Sequence, residues 1–315
     1  MVCISQKCIT LISMEFKQRE CPGCGESVLK PTVVMESSPH AEDLTFNELK
    51  EYWRGFRNRN IFFTYARCAT CGLVYCPVYF SGEQLNDLYS SMEDNTAGEK
   101  LHVLNDTQRS YVEILAGKTE VSGDWLELGG DIGLLTKHLF DLPKIKNVSV
   151  IEPNISVHPD LLKLIDGRGA TAANWSGLPS TAHFNGIVAV HVLDHLLDLS
   201  GELDRIRTCL NNGGMAFFVT HDESSLLRKF LKSKWPPFCL QHPQLFNPNS
   251  ISKVLEHNGF GSVNVTKTFN KFTLRHIAEV ATNVIGFGSL VVNLVPPIAV
   301  RLKLGNIATL SRLNS

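Results

Sequence analysis

A chain of 315 residues, 43 % hydrophobic and 19 % charged, has room for one large α/β domain plus a small accessory unit. Its formal net charge of -1 carries no basic excess, which argues against nucleic acid gripped through many phosphates. Nine cysteines, four of them in two Cys-x-x-Cys pairs, suit metal binding in a reducing, cytoplasmic compartment better than a disulfide framework.

Residues 1–14 read as an unstructured leader. They lack a basic n-region, the apolar run Cys8–Met14 is too short for a signal peptide, and Met14 fits a true start. Residues 15–80 form short polar and aromatic pieces around two matching knuckles, Cys21-Pro22-Gly23-Cys24-Gly25 and Cys68-Ala69-Thr70-Cys71-Gly72. Each Cys-x-x-Cys turn brings two sulfurs to one point, and two turns complete a tetrahedral S4 site suited to Zn2+. Cys21, Cys24, Cys68 and Cys71 leave no open position, so the zinc is expected to be structural in a zinc-ribbon-like module. The gap between the knuckles is longer than a usual ribbon loop and implies an insertion. The alternative is two unrelated turns with free thiols. Cys76 is spare, and Cys3 and Cys8 fall in the leader.

Residues 81–120 read as a helical linker. Leu85, Leu88 and Tyr89, then Tyr111, Ile114 and Leu115, recur at helical spacing around a polar loop. From Trp125 short apolar runs alternate with helical patterns. Strands are predicted at Trp125–Leu128, Asn147–Ile151, Gly169–Asn174, Gly186–Val192, Met215–Thr220, Val263–Thr268 and Asn306–Leu313. Helices are predicted over Ile132–Phe140, Leu161–Ile165, Leu199–Leu210 and around Ile251–Leu255. This alternation implies a doubly wound, Rossmann-like seven-stranded sheet over residues 121–315, its last strand inserting antiparallel.

Residues 270–304 interrupt the pattern as an apolar insertion. Val280–Val300 carries no charge but holds Gly286, Gly288, Pro296 and Pro297, which break any continuous helix. It reads as a buried helical pair, with a membrane span, peripheral membrane contact, or an interfacial or substrate-facing lid as alternatives.

The first strand runs into Glu127-Leu128-Gly129-Gly130-Asp131-Ile132-Gly133. A strand, a glycine turn and a helix N-terminus let backbone and free N–H groups approach a ligand. The dinucleotide fingerprint fails, because Asp131 and Leu134 stand where its second and third glycines belong. The second strand ends in Glu152-Pro153-Asn154, where a carboxylate can accept hydrogen bonds from both hydroxyls of a ribose. The fourth ends in His191-Val192-Leu193-Asp194-His195, and Leu210-Asn211-Asn212-Gly213-Gly214 precedes the fifth.

In the order and spacing of these motifs the chain resembles class I S-adenosylmethionine-dependent methyltransferases. The resemblance is to those with an N-terminal Cys-x-x-Cys zinc module, many of which accompany sugar or polysaccharide tailoring. That family's first motif is an acidic residue followed by Gly-x-Gly-x-Gly. Glu127, Gly129 and Gly133 match it, and Asp131 replaces the middle glycine. The resemblance implies S-adenosyl-L-methionine as cofactor, with Glu127 and Gly129 near its methionine part and Glu152 on its ribose. Gly130, Asp131, Gly133, Pro153 and His191 complete the expected crevice. Asp131 is expected either to cap the following helix or to repel the cofactor carboxylate.

Methyl transfer needs the acceptor atom in line and, for a hydroxyl, removal of a proton. His195 is the expected general base, with His191 and His242 as further catalytic candidates and His221 beside them. Packing or cofactor contact is the alternative role for each. Trp235-Pro236-Pro237-Phe238 reads either as a stacking wall for a sugar or as core closure. The function expected is O-methylation of a small-molecule or glycan acceptor. The alternative is a degenerate enzyme whose zinc module binds a protein or nucleic acid.

Overall fold

The computed structural model describes residues 16–27, 32–53, 61–90, 101–275, 278, 295–296, 298–303 and 305–313. Residues 1–14 and most of Val280–Val300 lie outside these, and with them the expectations for a leader and a membrane-facing segment. Among the described residues no helix is long and apolar enough to cross a membrane.

Seven strands form one mixed sheet. They are β1 (Gly123–Leu128), β2 (Ile145–Ile151), β3 (Thr171–Ala172), β4 (Phe184–Val190), β5 (Leu210–His221), β6 (Phe260–Lys267) and β7 (Asn306–Leu313). Their spatial order is 6-7-5-4-1-2-3. All neighbours pair in parallel except β7, which lies antiparallel between β5 and β6. This is the doubly wound, Rossmann-like sheet that the apolar runs predicted. One difference lies in β5, which already pairs with β4 at Leu210, ahead of the Asn211–Gly214 turn residues. A register shift between Leu210 and Met215 absorbs those residues as an irregularity within the strand.

Side-chain alternation along the strands makes two cores. Phe217 and Val219 of β5, with Trp125, Val148, Val150 and Val188, face α1 (Leu101–Ala116), α2 (Leu134–Phe140) and α3 (His158–Ile165). Ala216 and Phe218, with Leu126, Ile187 and Ile307, face α4 (Leu199–Thr208) and α6 (Pro248–His257), α5 being the short Leu226–Leu231. Helix α6 starts cleanly because the Asn247 side chain accepts from the Ser250 N–H and Ser250 answers in a capping box.

A third, largely aromatic core belongs to the N-terminal residues. Strands Thr32–Met35, Tyr65–Arg67 and Val74–Tyr75 pair antiparallel, and Gln244–Leu245, from the chain beyond β5, adds the fourth strand. Residues Trp235 to Leu245 are thus built into the N-terminal module. Tyr65 Oη donates to the carbonyls of Cys239 and His242, and Tyr79 Oη to that of Leu240. Trp235 and Phe238 are buried among Phe62, Tyr65 and Leu245, so this aromatic segment closes the core.

Candidate active site and metal centre

The crevice beside β1 is shaped by its glycines. Gly129 has φ +71°, and a Cβ there would lie 2.7 Å from Val192 Cγ2. A Cβ on Gly130 would lie 2.3 Å from Val150 Cγ1. The backbone can therefore pass this point only without side chains. Asp131, where the family pattern has a glycine, itself adopts φ +46°. Aspartate is among the few residues that tolerate this left-handed region. The N-cap residue of α2 is Gly133, two positions beyond Asp131.

Glu152 is turned into this crevice. Its Oε2 accepts from the Asp131 N–H at 2.8 Å and its Oε1 from the Asn154 N–H at 2.8 Å. Each oxygen keeps a lone pair for a further donor. Pro153 follows it, exposed at the rim. Glu127 is 3 % exposed and its carboxylate accepts from Thr136 Oγ1. Burial, against the help of Thr136 and with repulsion from Glu152 and Asp131, pushes the Glu127 carboxyl up to about 8.

The ends of β4 and β5 carry His191, His195 and His221, and His242 of the Trp235–Leu245 segment joins them. The His191 and His221 rings lie 4.4 Å apart, His221 and His242 4.9 Å, and His242 and His195 4.6 Å. The row therefore unites the three expected catalytic histidines with His221. Asp194, fully buried at its centre, accepts from His221 Nδ1 at 3.0 Å and from the His221 N–H at 3.3 Å. Burial opposes the charge on Asp194, but the imidazoles of His221, His191 and His242 outweigh it and hold the carboxyl below the usual range. Burial pushes His221 down to about 4 and His195 well below its ordinary value, in each case aided by neighbouring imidazoles. Burial would also lower His242, but the Cys239 sulfur, 3.3 Å from Nδ1, raises it to about 9. The Cys239 thiol is drawn down in turn against its own burial.

Three partners in this cluster escape sequence reasoning. Asn306 Nδ2 lies 3.1 Å from His191 Nε2 and 3.3 Å from Tyr111 Oη, and Tyr89 Oη lies 3.5 Å from His195 Nδ1. They are distant in sequence and carry no motif. The close spacing of Cys239 and His242 is the one local signal that could have pointed to their pairing.

The cysteine knuckles converge as their spacing predicts. The ligand atoms of Cys21, Cys24, Cys68 and Cys71 all lie within 4.8 Å of one another. Cys21 and Cys71 sulfurs are 3.5 Å apart, and those of Cys24 and Cys68 3.6 Å. A tetrahedral site with Zn–S bonds of about 2.3 Å needs sulfurs about 3.8 Å apart, so the set fits that ion closely. Burial pushes the Cys24 thiol up to about 11, so holding all four cysteines as thiolates at this spacing would require a bound cation. The knuckles dock on the sheet domain: the Pro22 carbonyl accepts from Ser200 Oγ and the Gly23 carbonyl from Asn258 Nδ2.

A family model described as a methyltransferase domain matches residues 102–265, more than half of the chain. The chain belongs to the methyltransferase-domain family. Among solved structures, this methyltransferase chain is similar to a Haloferax volcanii methyltransferase determined in complex with the Trm112 activator. The TM-score is 0.50 at 10 % identity, covering 67 % of this chain and 92 % of that one. It is also similar to the N-methyltransferase NodS of Bradyrhizobium japonicum bound to S-adenosyl-L-homocysteine, with TM-score 0.46, 14 % identity and coverage of 74 % and 98 %. YcgJ of Bacillus subtilis follows at TM-score 0.47 and 12 % identity, covering 66 % of this chain and 98 % of that one. At these identities the likeness speaks to fold alone. No match was found among curated proteins.

Proposed function

We propose that this methyltransferase moves the methyl group of S-adenosyl-L-methionine to an oxygen of a small or carbohydrate-like acceptor. The observation that carries the reading is the Gly129-Gly130 turn, too tight for side chains, with the Glu152 carboxylate bonded to the Asp131 N–H that follows it. When bound, the cofactor supplies an electrophilic methyl: the acceptor oxygen forms the new bond to carbon, and the pair of the broken C–S bond returns to sulfur. Glu152 accepts from the ribose hydroxyls, as its free lone pairs allow. Glu127, at the base of the same turn, faces the cationic end of the methionine part. His195 takes the acceptor's proton, with His242 beside it and His191 at the far end of the imidazole row. The oxygen acceptor and the glycan class rest on the family resemblance together with this row of bases. Structural zinc at Cys21, Cys24, Cys68 and Cys71 belongs to the same proposal, as does a cytoplasmic location.

Isothermal titration with S-adenosyl-L-methionine tests it. Wild type should bind, and Glu152→Ala should lose about 1.5–3 kcal/mol, on the order of 10- to 100-fold. Absence of heat with folded wild type would remove the enzyme reading. Incubation with labelled cofactor and a panel of sugar nucleotides and glycans, read by mass spectrometry, then names the acceptor.

A further inference from the structure

Two polar atoms in the imidazole row lack any hydrogen-bond partner although they are buried: His191 Nδ1 and Asp194 Oδ1. Leaving such atoms unpaired costs free energy, most of all on a charged group, so a missing partner is the natural explanation. The other Asp194 oxygen, Oδ2, lies 3.0 Å from His221 Nδ1 and 3.7 Å from His191 Nδ1, and the three ligand atoms fall within 4.8 Å of one another. Nitrogen and oxygen ligands about 2.1 Å from a common ion stand about 3–3.5 Å apart, so these separations need only a small adjustment.

From this geometry we propose that His191, Asp194 and His221 bind a divalent first-row transition cation, separate from the four-cysteine centre. Two imidazoles and one carboxylate suit zinc, iron, cobalt or nickel better than magnesium. The Asp194 side chain is fully buried, whereas those of His191 and His221 are 29 % and 20 % exposed. The set therefore opens on one side, as metal centres that receive a further ligand do. Asn306 supplies the supporting contact. With its amide oxygen toward the ring, His191 Nε2 donates to it, and Nδ1 presents its lone pair to the ion, the usual arrangement of a ligating histidine. His221 Nδ1 exchanges its hydrogen bond to Asp194 for the ion.

The fourth position would hold the acceptor's hydroxyl and lower its pKa, leaving a weaker demand on the proton-accepting imidazole. That role rests on the methyl-transfer reading; occupancy of the site does not. The Val192 side chain against Gly129 places the His191–Asp194 turn directly beside the cofactor crevice.

Cobalt titration of chelator-stripped, folded full-length protein, without cofactor, tests the site. Wild type should take up two equivalents. One should show intense thiolate-to-cobalt charge transfer, and the other only weak visible bands from nitrogen and oxygen ligands. Asp194→Asn and His221→Gln should each lose the second equivalent and keep the first, while Asn306→Ala should weaken it about 10- to 100-fold. X-ray absorption at the cobalt edge on wild type gives a readout independent of any variant and should show nitrogen and oxygen ligands beside the sulfur ligands of the first equivalent. A single, all-sulfur equivalent in wild type, or an unchanged second equivalent in Asp194→Asn, would overturn the proposal and leave a metal-free carboxylate–imidazole pair. Cation uptake without cofactor binding would instead mark failure of the methyl-transfer reading alone.

Discussion

Glu127 is a carboxyl buried where a cofactor's charged end is expected, and its protonation has two measurable effects. Its folded-state pKa of about 8 lies above the ordinary 4.5. The folded protein thus keeps a proton that the unfolded chain gives up. The associated stability is fully present below about pH 4.5 and is lost as pH rises through about 8. Cofactor-free wild type should lose on the order of a few kcal/mol across that window relative to Glu127→Gln, read by thermal unfolding at stepped pH. A flat difference would show that the carboxyl is already ionised. If the cofactor's ammonium ionises Glu127 on binding, the complex releases a proton near neutral pH. Titrations in buffers of different ionisation enthalpy should then give different apparent heats, a difference that vanishes in Glu127→Gln.

The turn from β1 to α2 shows what a sequence reveals at the scale of an element. Gly129→Ala should destabilise the protein by about 1–3 kcal/mol, because alanine resists a positive φ and its methyl meets Val192. Chemical denaturation of the single variant and of Gly129→Ala with Val192→Ala separates the causes. The second change should recover the steric part and leave the backbone part. Full recovery would mean that the conformation carries no cost. The sheet, the antiparallel β7 and the two cysteine knuckles were legible because each depends on local periodicity or spacing. The apolar run Gly186–Ala189 is buried on both faces, as a strand in the interior of a sheet is. The roles of Asp131 and Asp194 were not legible. A left-handed φ at Asp131, and the meeting of Asp194 with a histidine from the next strand, are set by tertiary contacts that no local pattern records. The Gln244–Leu245 strand escaped for the same reason: two residues carry no period.

For the molecule as a whole, the four-cysteine centre and the imidazole row are mechanically connected. The second knuckle directly follows the strand Tyr65–Arg67, Arg67 makes a two-pronged ion pair with the buried Glu223 just beyond β5, and Tyr65 holds the carbonyl of His242. Zinc bound to such a centre contributes roughly 10–16 kcal/mol at neutral pH, far more than a typical domain's net stability. If zinc fills this centre as proposed, stripping it with a strong chelator should lower the melting temperature and abolish methyl transfer together. Activity that survives complete removal of zinc, confirmed by mass spectrometry of bound metal, would show that the module folds on its aromatic core alone.

The detour of Trp235–Leu245 into the N-terminal sheet means that the catalytic half cannot be cut out along its family boundary. A truncated chain beginning at Leu101 would retain the seven-stranded scaffold yet orphan a strand, strip the cover from Trp235 and Phe238, and leave His242 on an untethered loop. Such a fragment should aggregate or bind dyes that seek exposed apolar surface, and co-expression with residues 15–90 as a separate polypeptide should rescue its solubility.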